Sequence, residues 1–361
     1  MKILQSFSEL YANGEQYDTI ACDIYGVLHD GYEPYPYTME TLKELQQRKQ
    51  DVVLLSNSSR MYSALSQQLI DKFNITPQAY NDILSSGKLT RLFLQDCQMY
   101  TTTKQDIVSC FATVGGNASI SNSNINHQST IATTMTAAGF CQQYQLALKQ
   151  EDTKIRFFIA GDVDYLEPLY RDLTVFEATD DWYSMEFVLV GSIQRLYGDD
   201  EVNPFDEESV QQHYKPFFDI CLKRGIPFIC TNPDVLAPHG VNQDGSQRLL
   251  LCPGYIGQLY ESMGGTVLYF GKPFSSIYKY LQNKQNNQSG GRILCIGDNV
   301  ATDVLGANDA DLDVVLILGG VHASTLLSTK NDTELLSQVR DLCQQAGTRE
   351  PTYVMPYLRY Q

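Results

Sequence analysis

The 361-residue sequence predicts an α/β protein: a doubly wound, Rossmann-like parallel sheet with a second α/β unit inserted into it. Three observations carry that expectation. Short apolar runs at 19–23, 51–56, 227–232, 266–272, 292–298 and 313–320 proceed without polar alternation, and each stops in a small or polar residue. Such runs suit strands buried on both faces of a parallel sheet. Helical stretches separate several of them, and from residue 81 to about 231 the pattern changes to that of a second unit.

The first run closes on Asp23, followed by Ile24, Tyr25 and Gly26. Residues 37–49 read as a helix, because Met39, Leu42 and Leu45 recur at helical spacing. The second run closes on Ser56 and Asn57. Within the inserted unit, the runs at 154–161 and 185–191 read as further strands. After Asn232 the first sheet is expected to resume, with runs closing on Lys272, on Asp298 and on Gly319 and Gly320. The predicted division is therefore a discontinuous core of residues 1–85 and 235–361, with an α/β cap at 86–234. Residues 107–148 stand apart, with no Asp, Glu, Lys or Arg and many Ser, Thr, Asn and Ala. They read as a weakly ordered insertion in the second unit, or alternatively as a lid or self-association surface. There is no internal repeat and no coiled-coil heptad.

The chain is long enough for two domains, each with its own core. Its 43% hydrophobic and 19% charged residues are those of an ordinary globular protein. A net charge of −16 argues against nucleic acid or an anionic membrane as partner, because both select basic surfaces. It does not exclude a small phosphorylated substrate, since a metal ion inverts the local charge. Residues 1–18 lack the basic-then-apolar order of a signal peptide, and no apolar run approaches the roughly 18 residues of a membrane helix. Nine scattered cysteines without a Cys-x-x-Cys pair read as buried free thiols, so a cytoplasmic location is expected.

In doubly wound sheets, ligands bind beyond the carboxyl ends of the strands. The residues closing the runs are therefore expected to share one crevice. A carboxylate at Asp23 can attack phosphorus and form an acyl phosphate, although Asp at a strand end is also a common cap or turn residue. Gly26 frees the backbone to point N–H groups at an anion. Ser56 and Asn57 offer a hydroxyl and backbone donors for phosphate oxygens, or a simple helix N-cap. Lys272 supplies an ammonium for phosphate and nucleophile; alone it would read as a surface lysine. Asp298 and Asp303 sit five residues apart at a strand–helix junction. Asp298 can reach Mg²⁺, which prefers hard oxygen ligands, or can cap the helix.

Four such motifs in this order resemble the haloacid-dehalogenase-like hydrolase superfamily, whose members are mainly aspartate-based phosphatases. Residues 83–87, 230–234 and 269–273 look like its class IIA branch, which carries an α/β cap between the second and third motifs. That branch includes NagD-like and para-nitrophenyl-phosphatase-like enzymes. Residues 23–31 and 351–356 look closest to a bacterial subfamily of it. The resemblance spans the chain except for about 98–153.

The resemblance implies a division of labour. Asp23 is the nucleophile, Ser56 and Asn57 hold phosphate oxygens, and Lys272 steadies the charge. Mg²⁺ is held by the Asp23 carboxylate, the backbone carbonyl of Tyr25 and Asp298, with Asp303 supporting the metal loop. Asn232 and Asp234 stand near the cap–core junction, and the cap selects the leaving group. Caps of this class often mediate homodimers; the sequence leaves oligomeric state and physiological substrate open.

One departure matters. Phosphatases of the superfamily carry a second Asp two residues after the nucleophile, as general acid and base; here that place is Tyr25. A phenol with a pKa near ~10 is a poor base at neutral pH. Losing a general acid–base costs roughly 10²–10⁴-fold. His29 and Asp30 are the nearby alternative proton sources. The expectation is a Mg²⁺-dependent phosphatase of a small phosphorylated metabolite, working through an aspartyl phosphate with reduced turnover. The alternatives are a phospholigand-binding or regulatory protein without turnover, and a metal-free haloacid dehalogenase, against which Asp298 and Asp303 weigh.

Overall fold

The computed structural model describes residues 1–115, 133–148, 153–197, 200–241, 247–286 and 291–361. Two seven-stranded sheets dominate it. The first is wholly parallel, in the order Lys2–Ile3, Tyr353–Met355, Asp313–Ile317, Ile293–Gly297, Thr19–Asp23, Asp51–Ser56 and Asp82–Ser85. The continuous apolar runs follow from burial on both faces. Ile20 and Cys22 face a cluster with the helices Thr38–Gln47 and Tyr62–Phe73, through Leu42, Leu45, Leu65, Leu69 and Phe73. Ala21, Val53 and Leu55 face the opposite cluster, which takes in Leu89 and Phe93 of the helix Ser86–Thr103. Helices on both faces make the sheet doubly wound, as predicted.

The second sheet runs Thr133–Met135, Ala112–Val114, Val267–Tyr269, Phe228–Cys230, Phe187–Val190, Ile155–Ala160 and Phe176–Ala178. Its first two pairings are antiparallel and the rest parallel. Val188, Val190 and Phe228 face the long helix Glu207–Arg224, through Tyr214, Phe217 and Phe218. Phe187, Leu189 and Ile229 join the same cluster as Val53 and Leu55 of the first sheet, so the two sheets share one apolar interior.

The return to the first sheet falls later than residue 235. The strand Val267–Tyr269 pairs in parallel with Phe228–Cys230, and a parallel pair needs a crossover, which the helix Pro253–Ser262 supplies. Ile256 and Tyr260 of that helix are buried against the second sheet. An apolar run discloses that it is a strand but not which sheet receives it. Pairing keeps the chain with the second sheet as far as Tyr269.

The low-charge stretch is partly visible. Ala112–Val114 and Thr133–Met135 extend the second sheet by an antiparallel pair, and the helix Ala137–Gln143 buries Phe140 and Cys141 in the shared interior. Residues 116–132 of the predicted insertion lie outside the described residues. All nine cysteines are buried and unpaired. Among the described residues, no helix is long and apolar enough to cross a membrane.

Candidate active site

The crevice forms where the two sheets meet. Asp23 and Ser56 end adjacent strands of the first sheet, and Asp298 follows the neighbouring strand Ile293–Gly297. Asn232 and Lys272 follow the adjacent second-sheet strands Phe228–Cys230 and Val267–Tyr269. All the predicted side chains line one cavity of about 300 Å³: Asp23, Tyr25, Ser56, Asn57, Asn232, Asp234, Lys272, Asp298 and Asp303. The single crevice was expected from one sheet's strand ends; it is built from two.

Lys272 Nζ lies 2.6 Å from Asp23 Oδ1 and 2.8 Å from Asp303 Oδ1, and all three residues are buried. Burial alone would depress the lysine, but the two carboxylates outweigh it and hold the ammonium above its usual range. Asp23 Oδ1 also accepts from the Ile24 N–H at 2.8 Å, whereas Oδ2 has no hydrogen-bond partner among the described residues. Burial pushes Asp23 up to about 7 against the pull of Lys272, with Asp303 adding to the rise. Asp298 is driven well above the usual carboxylate range by burial, then by Asp23 and Asp303.

Asp23, Asp298 and Asp303 bring ligand atoms within 4.8 Å of one another. Three buried carboxylates around one ammonium leave an excess of negative charge that a hard divalent cation would relieve. The backbone is shaped around this cluster. A Cβ on Gly26, whose φ is +81°, would stand 2.0 Å from Asp298 Oδ2, and one on Gly320 would stand 2.1 Å from it. The Val321 N–H donates to that same oxygen at 2.6 Å, leaving Asp298 Oδ1 free of hydrogen bonds among the described residues. After Asp298 the chain makes a one-turn π-helical segment, Val300–Val304. This turns Asp303 back so that Oδ2 accepts from the Asn299 N–H while Oδ1 holds Lys272.

The predicted phosphate contact of Asn57 is one of backbone donors, and its side chain has other partners. Its Nδ2 donates to Asp234 Oδ1 and to the Lys272 carbonyl, each at 2.8 Å, and its Oδ1 accepts from the Lys272 N–H at 2.7 Å. The side chain is committed to fixing Lys272 and Asp234. Ser56 Oγ accepts from the Ser58 N–H at 3.2 Å and keeps its own proton free to donate. Asn232 Oδ1 accepts from the Asp234 N–H at 2.9 Å, closing a turn that presents both residues to the cavity. The junction is stitched further by Ser86 Oγ donating to the Phe270 carbonyl and by Ser59 hydrogen-bonded to Thr231.

Tyr25 is 40% exposed, and its ring meets the His29 ring edge-on at 5.7 Å. Burial, with Asp30 and Asp298 nearby, raises its phenol above the ordinary value, so it stays protonated at neutral pH. Of the two alternative proton sources, Asp30 Oδ1 accepts from the Tyr32 and Glu33 N–H groups and does not line the cavity. His29 does line it, stacked on Phe73 at 3.7 Å. Burial lowers this histidine to about 4, and its Nδ1 accepts from the Gly31 N–H. It is a neutral imidazole with its proton on Nε2.

Sequence reasoning missed Arg60, Gln68, Leu65, Leu69 and Leu236, which also line the cavity. Arg60 follows Ser56 by only four residues, but a lone arginine in a serine-rich loop carries no pattern.

Comparison with known proteins gives a consistent set of likenesses. A haloacid dehalogenase-like hydrolase profile matches residues 20–117, and a second profile of the same kind matches 269–342. The ribonucleotide monophosphatase NagD of Escherichia coli K12 is 29% identical over 221 residues, covering 61% of this chain and 72% of its own. Among solved structures, a haloacid dehalogenase-like hydrolase from Brucella suis 1330 is 23% identical with a TM-score of 0.62, covering 99% of this chain and 100% of that one. A 4-nitrophenylphosphatase from Thermotoga maritima is 16% identical with a TM-score of 0.56, over 95% of each chain. At those identities the structural likenesses establish the fold.

Proposed function

Because the chain belongs to the haloacid-dehalogenase-like hydrolases, we propose that it hydrolyses small phosphomonoesters through an aspartyl phosphate on Asp23. The observation that carries this is the buried cluster of Asp23, Lys272, Asp303 and Asp298 at the floor of the shared cavity. The relatives described as monophosphatase and nitrophenylphosphatase support the substrate class.

Asp23 Oδ2 attacks phosphorus, a P–O bond forms to the carboxylate, and the ester P–O bond breaks. Lys272 holds Oδ1, which aims the free oxygen, and Ser56 Oγ donates to a phosphoryl oxygen. Asn57 acts through Lys272, fixing its backbone. Water then cleaves the acyl phosphate and regenerates the carboxylate. The donor set suits Mg²⁺: the Asp23 carboxylate, the Tyr25 carbonyl and Asp298 are hard oxygen ligands in a region of uncompensated negative charge. Bound there, the ion would supply charge neutralisation at the transferring group. The Tyr25 phenol is too weak an acid to protonate a departing alkoxide quickly, so leaving groups that need little protonation are favoured. The second sheet serves as the cap that contacts the leaving group.

The test is phosphate release from para-nitrophenyl phosphate with Mg²⁺ and with the metal chelated. Activity that needs the metal and falls at least about 10³-fold in Asp23→Asn is expected. Retention of activity in that variant would exclude Asp23 as nucleophile. Tyr25 favours a second reading, a protein that binds phosphorylated ligands without turnover; saturable binding of the ester with no phosphate released identifies it.

A further inference from the structure

One cation in the cavity wall is left without a task by the chemistry above. Arg60 Nη1 donates to Gln68 Oε1 at 2.6 Å, and its guanidinium lies 5.3 Å from the centroid of the Tyr165 ring. Both partners are neutral. Among the described residues, no carboxylate stands within ion-pair distance of Arg60, although the chain has 42 acidic residues to 26 basic ones. Lys272, the other cation lining the cavity, is held between Asp23 and Asp303, which Arg60 does not touch.

The arginine is also firmly placed. Its carbonyl accepts from Ser85 Oγ at 2.7 Å, and its N–H donates to Ser58 Oγ at 3.2 Å. A Cβ on Gly87 would strike the neighbouring Ser59 carbonyl oxygen at 2.0 Å, so the loop is packed tightly onto the helix Ser86–Thr103. Gln68 uses one of the five guanidinium donors, and most of the fork stays available for a planar anion. Leu65 and Leu69 line the wall beside it, and Leu236, 45% exposed, lines it from the strand Leu236–Val241. An acidic floor with its own cation, an apolar wall and a separate unpaired cation describe a ligand with two anionic ends.

We propose that Arg60, oriented by Gln68, recognises a second anionic group, a carboxylate or a second phosphate, on the leaving-group portion of the substrate. The apolar body between the two anions lies against Leu65, Leu69 and Leu236. This rests on the phosphatase reading of the site and narrows its substrate class to phosphomonoesters that carry another anion.

The test compares kcat/KM for phenyl phosphate and for 4-(carboxymethyl)phenyl phosphate, whose leaving phenols are of similar acidity. With Mg²⁺, the wild-type protein is expected to prefer the carboxylated ester by about 10–100-fold, the range of one charge-assisted pair. In Arg60→Ala this ratio falls to near one, chiefly through KM, and Arg60→Lys keeps part of it. Gln68→Leu lowers it several-fold, because the fork loses its orientation. Benzene-1,4-diyl bisphosphate in the same assay tells a phosphate preference from a carboxylate one. A wild-type ratio near one for both esters that carry a second anionic group overturns the proposal. So does a ratio unchanged in Arg60→Ala. If none of the esters is hydrolysed, the phosphatase reading fails on its own. Calorimetric dissociation constants of the same esters on Asp23→Asn protein, with and without Arg60→Ala, then decide the recognition claim by the same ratio.

Discussion

In the proposed reaction, Tyr25 limits what Asp23 can accomplish. Its backbone carbonyl serves the proposed metal site as any residue's would, but its side chain points along the loop toward Gly31, where an added Cβ would meet the ring at 2.9 Å. Neither His29, neutral with Nδ1 occupied, nor Asp30, tied to its own turn, replaces the missing carboxylic acid. Tyr25→Asp is therefore expected to raise kcat on alkyl phosphates by at least about tenfold and to change para-nitrophenyl phosphate far less. Steady-state rates on both substrates check this; a variant that folds and binds Mg²⁺ without gain would show that position 25 is not where the acid is lacking. At this scale the gathering of the residues into one cavity was largely legible. Asp23, Ser56, Lys272 and Asp298 each close an apolar run, and that punctuation marks them. The further task of the Asn57 side chain was not legible, because its partners Asp234 and Lys272 lie 177 and 215 residues away in the chain.

The elements around the site are bent to fit side chains rather than the reverse. The π-helical turn Val300–Val304 and the glycines at 26 and 320 all shape the space occupied by Asp298 and Asp303. Gly320→Ala is expected to displace the Asp298 carboxylate, since the new methyl would lie 2.1 Å from Oδ2. A Mg²⁺ titration of thermal stability should show affinity reduced by about tenfold or more, with the metal-free fold intact. Unchanged affinity would remove Asp298 from the metal site. None of this bending is visible in periodicity. A π-turn and a close approach to glycine are consequences of what packs above them.

Across the whole molecule, one apolar cluster runs from Val53 and Leu55 of the first sheet to Phe187 and Leu189 of the second. The helix Pro253–Ser262, packed on the second sheet, also holds a half-buried acid outside the site. Glu261 Oε2 accepts from the Tyr269 hydroxyl at 2.8 Å, and burial raises the carboxyl to about 7. A group raised on folding binds more protons in the native state. Its contribution is thus complete below the unfolded value near 4.5 and lost as pH rises through about 7. Urea denaturation midpoints should decline over that interval in the wild type, and Glu261→Gln, which keeps the acceptor for Tyr269, should flatten the decline. An identical slope in the variant would place the proton uptake elsewhere.

By itself the sequence determined the α/β class, eight of the fourteen strands of the two large sheets and the order of the chemical motifs, because burial on two faces and polar strand ends are local properties of the chain. The resemblance also put Tyr25 where related phosphatases carry an acid. The tertiary structure alone decided that Val267–Tyr269 belongs to the second sheet, that Asn57 fixes Lys272, and that Arg60 faces the cavity without a counter-charge among the described residues. Those depend on pairings between segments far apart in sequence, and hydrophobic pattern specifies that a strand is buried without specifying its neighbours.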